Sequence, residues 1–396
     1  MKKINKIKTA LFLPLIMLFS SCFDPIFYEI RKDVEPETAT VSGQIGQITR
    51  FTMNGEEYLF LSADGGLRYK KADNQSHGSW QTMTLPFSLQ SFSFDDTAMS
   101  GKQLIGVFAN EDTLYLFATS YNTTGSEGTT NPSKIDLYGS KTPDVVDSWV
   151  LINENSETNY FPLYKAYDDD DVDEVWKSNF NVFQTNAPQA AHRHVYIRSG
   201  SRKYYELKGT SEPQEITIST AEDGNADSII YSAAYFNGAV RFFNSKVVTT
   251  DETYDTEAEH IYYEDGKVLR YASKANYEDG FERSCSCDYQ ISALAVTKDS
   301  IIIGLGDLTG ENDNGGITRV LLTDGIPAGS TSHFTTNAAF QITSVYKVLT
   351  LLNATPGETE EKSSLYSSIT FSSYSGLYEN IGLWSYYPNR GNWNRE

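Results

Sequence analysis

The chain has 396 residues, a formal net charge of −20 and three cysteines. Fifty-two Asp and Glu against 32 Lys and Arg repel phosphate backbones and anionic lipid surfaces, which excludes nucleic-acid binding and charge-driven adsorption to a membrane. Three cysteines cannot build a disulfide framework, and no stretch reaches the ~20 apolar residues that a bilayer-spanning helix needs.

Residues 1–21 predict a secretory signal. Lys2, Lys3, Lys6 and Lys8 give a basic start, Ala10 to Phe19 form an apolar run broken by Pro14, and small residues close it. Phe19, Ser20, Ser21 and Cys22 resemble the lipobox of bacterial lipoproteins, of the looser spirochaete type, since Phe19 stands where Leu is usual. The resemblance implies that Cys22 is acylated, becomes the first mature residue and anchors the chain in the cell envelope, facing the periplasm or the exterior. The alternatives are an ordinary cleaved signal and an uncleaved leader in which Cys22 is a free thiol. Removing the leader takes four lysines and no acid, leaving 28 basic residues against 52 acidic ones. Residues 22–40, with Pro25 and Pro36 among mixed charges, read as a tether.

From 41 to 396 helical periodicity is nearly absent. Short runs of Val, Ile, Thr, Tyr and Phe broken by Gly, Asn and Asp predict strands and turns. The first unit has Ile48 to Phe51, a turn at Asn54-Gly55, Tyr58 to Ser62, a turn at Asp64-Gly65-Gly66, Leu67 to Lys70 and a close near Trp80. Lys134 to Tyr138 with Trp149 mark a second unit, and Lys203 to Leu207 a third. Between them, Asp168 to Asp171 with Asp173 and Glu174 form the densest acidic run. Oxygen ligands at Asp169, Asp171 and Asp173 suit Ca²⁺, although no glycine precedes Trp176 for an EF-hand turn, and a solvated loop is the alternative. Trp176 and, later, Tyr374 are loop aromatics able to offer flat contact area to a protein or carbohydrate ligand. His192 and His194 share a face if they lie on one strand, either as a metal pair or as an exposed edge.

Further on, Gly266 to Tyr271 repeat the Leu-Arg-Tyr of the first unit. Cys285-Ser286-Cys287 follow; residues two apart on a strand are separated by about 6.5–7 Å, the limit for a disulfide. A strained local disulfide, a metal site completed from elsewhere and two small core residues are the three readings. Ile291 to Val296, Ser300 to Gly304 and Gly315 to Val320 form another unit, whose loop 307–316 reads as a long hairpin connection. Ile342 to Val345, Tyr366 to Phe371, Gly382 to Tyr386 and Gly391 to Trp393 form the last. Third-strand markers fall near 66, 135, 203, 267, 316 and 382, with insertions near 170, at 249–260 and at 354–362.

Repeated four-stranded units need their edges closed. The pattern resembles bacterial β-propellers across residues 41–396, and its markers predict six blades, with seven as the next count. Several β-sandwiches and a solenoid or barrel are the competing architectures. Ser62 to Gly66 also resembles half of the Asp-box of sialidase-like propellers, but Arg68 and Tyr69 replace its Thr and Trp, and the arginine pattern of that enzyme class is missing. No zinc-protease helix, nucleophile elbow or phosphate loop is present. The expected function is therefore a lipid-anchored envelope binding or scaffold protein that meets a protein or carbohydrate through its face loops, with no catalytic residue and no firm metal. A glycan hydrolase with carboxylates at the propeller centre and an envelope assembly component without a small ligand are the alternatives.

Overall fold

Residues that prefer a pleated, half-buried surface set the secondary structure. Strand Ser300–Gly306 is buried along nearly its whole length, as a run of consecutive Ile residues demands when both faces are covered. Hairpins close where the sequence offers Asn-Gly or Asp-Gly: Asn54-Gly55, Asn237-Gly238 and Asp324-Gly325 each hold both residues at positive φ, between 50° and 79°. That is the type I′ geometry matching the twist of the flanking strands.

The computed structural model describes residues 41–396, apart from 42–44, 64, 77, 90–100, 124–129, 169–170, 186, 219–220, 223–228, 251–252, 254–255, 307–314, 334–346, 371–381 and 390–392. Cys22, Asp169 and Tyr374, together with the signal and the tether, lie outside the described residues. All described residues belong to one compact unit, Ala39–Glu396.

Within it the chain is all-β, with four short 3-10 turns among the described residues. The first sheet is the meander Ile48–Met53, Glu56–Ala63, Gly66–Lys71 and Gln81–Met83. The second is Lys102–Ala109, Leu114–Thr123, Thr130–Ser140 and Val150–Leu151; the third is Phe180–Gln184, Val195–Ser199, Lys203–Leu207 and Gln214–Ile216. The fourth is the hairpin Ser232–Phe236 with Ala239–Phe243. The fifth is Val247–Thr250, His260–Asp265, Val268–Ser273 and Glu282–Ser286. In the sixth, Gln290–Val296, Ser300–Gly306 and Gly316–Thr323 carry two short edge strands, and the seventh is Lys347–Asn353, Leu365–Thr370, Gly382–Tyr386 and Trp393–Arg395. A pairing of Gly306 with Lys347 joins the last two.

Seven apolar clusters lie between successive sheets. Phe51, Phe60 and Leu67 meet Val107 and Leu116 between the first and second. Phe117 and Leu137 meet Ile197 and Leu207 between the next two. The series continues through Phe183 with Ala233, Phe243 with Ile261, Leu269 with Ile303, and Ile302 with Trp384. The seventh cluster closes the circle, packing Leu352, Tyr366 and Leu383 of the last sheet on Ile48, Leu59 and Trp80 of the first. Val41 crosses the same seam, donating to the Glu396 carbonyl at 3.2 Å and accepting from Leu383 at 3.3 Å.

The described residues thus hold seven units where the sequence markers number six. The fourth has no Gly-led third strand to mark it; the N–H of Glu222 instead donates to the Phe242 carbonyl at 2.8 Å along its outer side. A second departure concerns the acidic run. Residues 163–178 form a two-stranded ribbon, Leu163–Asp168 with Asp171–Ser178, so Asp171, Asp173 and Trp176 are strand residues rather than loop residues. Trp176 stands opposite Lys165, and the β-branched Val172 and Val175 suit that ribbon. The Ser62–Gly66 segment is a plain hairpin turn, with Ala63 opposite Gly66.

Candidate functional site

The first strand of each unit leads it to the centre. Six of these leading strands, with Gly46 and Gln47 just ahead of the first sheet's, border one cavity of about 1240 Å³. A parallel bridge between Thr185 and Ala233 shows that neighbouring leading strands run in the same direction. Strand-start residues therefore gather at one end: Gln47, Lys102, Asn181, Tyr231 and Lys246 all lie within two residues of where their strands begin.

The wall has an unusual charge pattern. Its three ionised groups are Lys102, Arg198 and Lys246, and no Asp, Glu or His is found among the described residues that line it. At the chain's average acidic content, a wall of this size would carry about four carboxylates. The remaining polar lining is neutral, with amides at Gln47, Gln103 and Asn181 and hydroxyls at Ser292 and Thr350. Phe180, Ile229 and Leu349 add apolar surface.

The three cations are not equivalent. Lys102 opens its strand and lies 2.6 Å from Asp136, with the rings of Tyr138 and Phe87 at 5.0 and 5.8 Å. Burial alone would lower its pKa, but the Asp136 carboxylate and Tyr138 hydroxyl outweigh that and hold it above the usual lysine value. Its charge is therefore largely compensated.

Arg198 sits next to the end of its strand, opposite Asn181 on the leading strand, which fixes it at the strand-start end of the cavity. One terminal nitrogen donates to the Gly200 carbonyl. Its Nε is buried with no hydrogen-bond partner, and no carboxylate among the described residues lies within ion-pair distance of the guanidinium. The other terminal nitrogen makes no hydrogen bond to a described residue and can donate to an oxyanion.

Lys246 immediately precedes its strand, with its ammonium 5.8 Å from the centre of the Tyr231 ring. Cavity water reaches it, yet protein encloses it on several sides. That enclosure lowers its pKa, the nearby Lys347 lowers it further, and Glu264 opposes both. Glu264 lies behind the wall and accepts from the N–H groups of Lys246 at 3.4 Å and Gly266 at 3.0 Å. Burial pushes its carboxyl up to about 7.

Not every polar side chain on the wall is open to a guest. Gln184 already accepts from the Thr49 hydroxyl at 2.8 Å and the Ala109 N–H at 3.0 Å, and Ser292 donates to the Gly304 carbonyl at 3.2 Å. A second, smaller cavity of about 80 Å³ lies at the strand-end side, beside Arg50 and Asn353. There Arg50 is occupied by the Ala354 carbonyl at 3.3 Å and the Asn353 carbonyl.

Of the candidates suggested by the sequence, His192, His194, Cys285 and Cys287 are described and do not line this cavity. Asp171, Asp173 and Trp176 belong to the ribbon ahead of the third sheet. Among the described residues no group of three or more His, Cys, Asp or Glu could hold a metal ion. His192 and His194 do not share a strand face. His192 ends a 3-10 turn, buried and stacked on Tyr235 at 3.7 Å, whereas His194 pairs with Glu206 at 3.0 Å. Cys285 and Cys287 are free, buried thiols packed with Tyr262, Ile291 and Ile303, the small-core-residue reading. No helix among the described residues is long and apolar enough to cross a membrane.

Sequence reasoning missed all three cations. The available signal was positional: each stands where a leading strand starts or beside such a start, a coincidence visible only once the units are aligned.

No family model matches the chain, and no curated protein is similar to it. Among solved structures it is similar to a glycosyl hydrolase from Bacteroides ovatus, at 9% identity over 88% of this chain and 86% of that one, with a TM-score of 0.29. It is similar to the same extent, at a TM-score of 0.31, to a structure from the GH130 family of mannoside phosphorylases, which contains glycoside hydrolases targeting β-1,2-mannosidic linkages in Candida mannan. Likeness at these scores assigns neither fold nor activity to this chain.

Proposed function

We propose that the chain is a cell-envelope lipoprotein, anchored through Cys22, whose ring of sheets is a seven-bladed β-propeller that binds a carbohydrate in its central cavity. The reading departs from the face-loop expectation in placing the ligand at the axis. It rests above all on the composition of the cavity wall: amides, hydroxyls, short apolar patches and cations, with no carboxylate among its described residues. A polyol needs that mixture of donors, acceptors and apolar faces, and a volume of about 1240 Å³ accommodates a small saccharide but not a folded partner. Glycoside hydrolysis ordinarily needs two carboxylates flanking the scissile bond, and the described wall offers none.

The test is calorimetric titration of the full chain in detergent with mono-, di- and trisaccharides, with reducing-end release followed in parallel. Saturable binding without turnover is the expected result. Glycan cleavage would replace the binding reading with the hydrolase alternative, and no binding at all would remove it. Mass spectrometry of the mature N-terminus tests the anchor: an acylated Cys22 is expected, and an intact Met1 would overturn it.

A further inference from the structure

We infer that the ligand of the central cavity is an acidic sugar, one carrying a carboxylate or sulfate, and that Arg198 and Lys246 receive its oxyanion. The inference rests on the cavity-binding reading above and specifies the charge of the guest.

The electrostatics of the wall point to it. The chain carries 52 acidic and 32 basic residues, yet the described lining of this cavity retains only the basic ones. Of these, Lys102 is matched by Asp136 at 2.6 Å. Arg198 and Lys246 have no carboxylate within ion-pair distance among the described residues. Two cations facing an enclosed space without a counter-ion raise the potential there, and a low-dielectric wall focuses it. A cation held beside another and partly enclosed costs stability in the empty protein. Lys246 registers that cost directly, since enclosure and the neighbouring Lys347 both disfavour its charged form. An oxyanion relieves both penalties together.

Geometry narrows the guest further. With one terminal nitrogen of Arg198 on the Gly200 carbonyl and its Nε buried, the other terminal nitrogen is the one left to donate to a carboxylate or a sulfate oxygen. Asn181 stands directly across the strand pair from Arg198. Gln47, Gln103 and Thr350 border the same space with groups that hydrogen-bond hydroxyls. An anion held at the Arg198 end would thus bring a polyol body among neutral polar groups and against Phe180.

The experiment pairs each neutral sugar with its acid. Glucose and glucuronate, galactose and galacturonate, and glucose 6-sulfate are titrated into the full chain at constant ionic strength. The same titrations follow for Arg198→Met, Lys246→Gln and Arg198→Lys. Acids are expected to bind and neutral sugars to bind at least tenfold more weakly. Each of Arg198→Met and Lys246→Gln should weaken the acids roughly 10- to 100-fold, as loss of a hydrogen bond to a charged group does. Arg198→Lys should restore part of the loss. Preference for glucuronate or for the sulfate ester identifies which oxyanion the site takes. Lys246→Gln, at a position open to cavity water, keeps the test valid should Arg198→Met fail to fold. Equal binding of acids and neutral sugars would overturn the charge inference and leave cavity binding standing. Unchanged acid affinity in a folded Lys246→Gln would do the same. Failure of every sugar to bind would overturn both.

Discussion

Removing the ammonium of Lys70 should loosen the seam that closes the ring. Lys70 lies on the third strand of the first sheet with its side chain fully buried, and its Nζ is 3.6 Å from the carboxylate of Glu396, also fully buried. The ammonium donates to the Tyr387 hydroxyl at 2.6 Å and to the Ser76 carbonyl at 2.9 Å. The rings of Trp80, Tyr366 and Tyr387 surround it at 5.8, 5.5 and 5.0 Å. Glu396 accepts in turn from Tyr387 and, at 3.2 Å, from the N–H of Gly78. Lys70→Met leaves that carboxylate buried with two neutral donors and no counter-charge among the described residues. Breaking a buried pair in this way costs about 3–5 kcal/mol. In a domain of this size that corresponds to a drop in Tm of roughly 4–7 °C. Glu396→Gln should cost somewhat less, because three aromatic faces and the Ser76 carbonyl still support the ammonium. The double variant Lys70→Met/Glu396→Gln keeps the shape and the acceptor while removing both charges. It should therefore be more stable than the sum of the single losses implies, with a coupling of about 2 kcal/mol. Urea unfolding of the four proteins followed by tryptophan fluorescence measures the cycle. Single losses below about 1 kcal/mol, or strictly additive ones, would refute the view that this pair holds the seam.

Three other perturbations probe separate parts of the ring. Glu264, pushed up to about 7 by burial, keeps its proton in the folded chain after the unfolded chain has lost it near 4.5. Stability should then fall as pH rises from about 4.5 to about 7 and level off above, so Glu264→Gln should stabilise the chain by roughly 1–3 kcal/mol at pH 8 and by little at pH 4.5, measured by urea unfolding at both. Gly304→Ala would place a Cβ 2.6 Å from Val348 Cγ1 and 3.2 Å from Ala293 Cβ, where the sixth sheet meets the seventh; overpacking of about 1–3 kcal/mol should appear as a lowered Tm. Cys285 and Cys287 should react with a thiol reagent only at the rate of unfolding, although the hydrogen bond from Cys287 lowers the Cys285 pKa to about 7; rapid labelling of the native chain would show that this interface opens locally.

The strands were legible where local chemistry decides the outcome. Asn54-Gly55 could only turn, and Gly66 and Gly382 open equivalent third strands in the first and last sheets, whereas Trp393 opens the fourth strand of the last sheet and Trp80 stands just ahead of that of the first. The fourth unit escaped because its outer side is supplied by residues around Glu222, which precede the hairpin, so no glycine follows Phe243 to announce a third strand. Trp176 was misplaced for a related reason. An acidic run suggests a solvated loop, but Val172, Val175 and Trp176, all strand formers, let the segment pair as a ribbon once a partner strand at Leu163–Asp168 was available.

The site was illegible for a different reason. Lys102, Arg198 and Lys246 are separated in sequence by 96 and 48 residues, and nothing local distinguishes them from the other 29 basic residues. What makes them a group is closure: only when the seventh sheet packs on the first do the strand starts face one another across a shared space. Closure also explains why the charges on the described wall act together. An exposed carboxylate elsewhere on this chain has water to screen it, and the surface tolerates many. At the strand starts of a ring, charges of one sign converge in an enclosed volume, so each adds to the potential felt by the rest. Carboxylates mixed among these cations would have neutralised the space and stabilised the empty protein, as Asp136 does for Lys102. Arg198 and Lys246 lack that partner within the described residues, and for Lys246 enclosure and the neighbouring Lys347 disfavour the charged form. A cost carried at the one position where all seven units meet is what a site preorganised for an anion requires, because a wall already neutralised would have nothing left to give a charged guest.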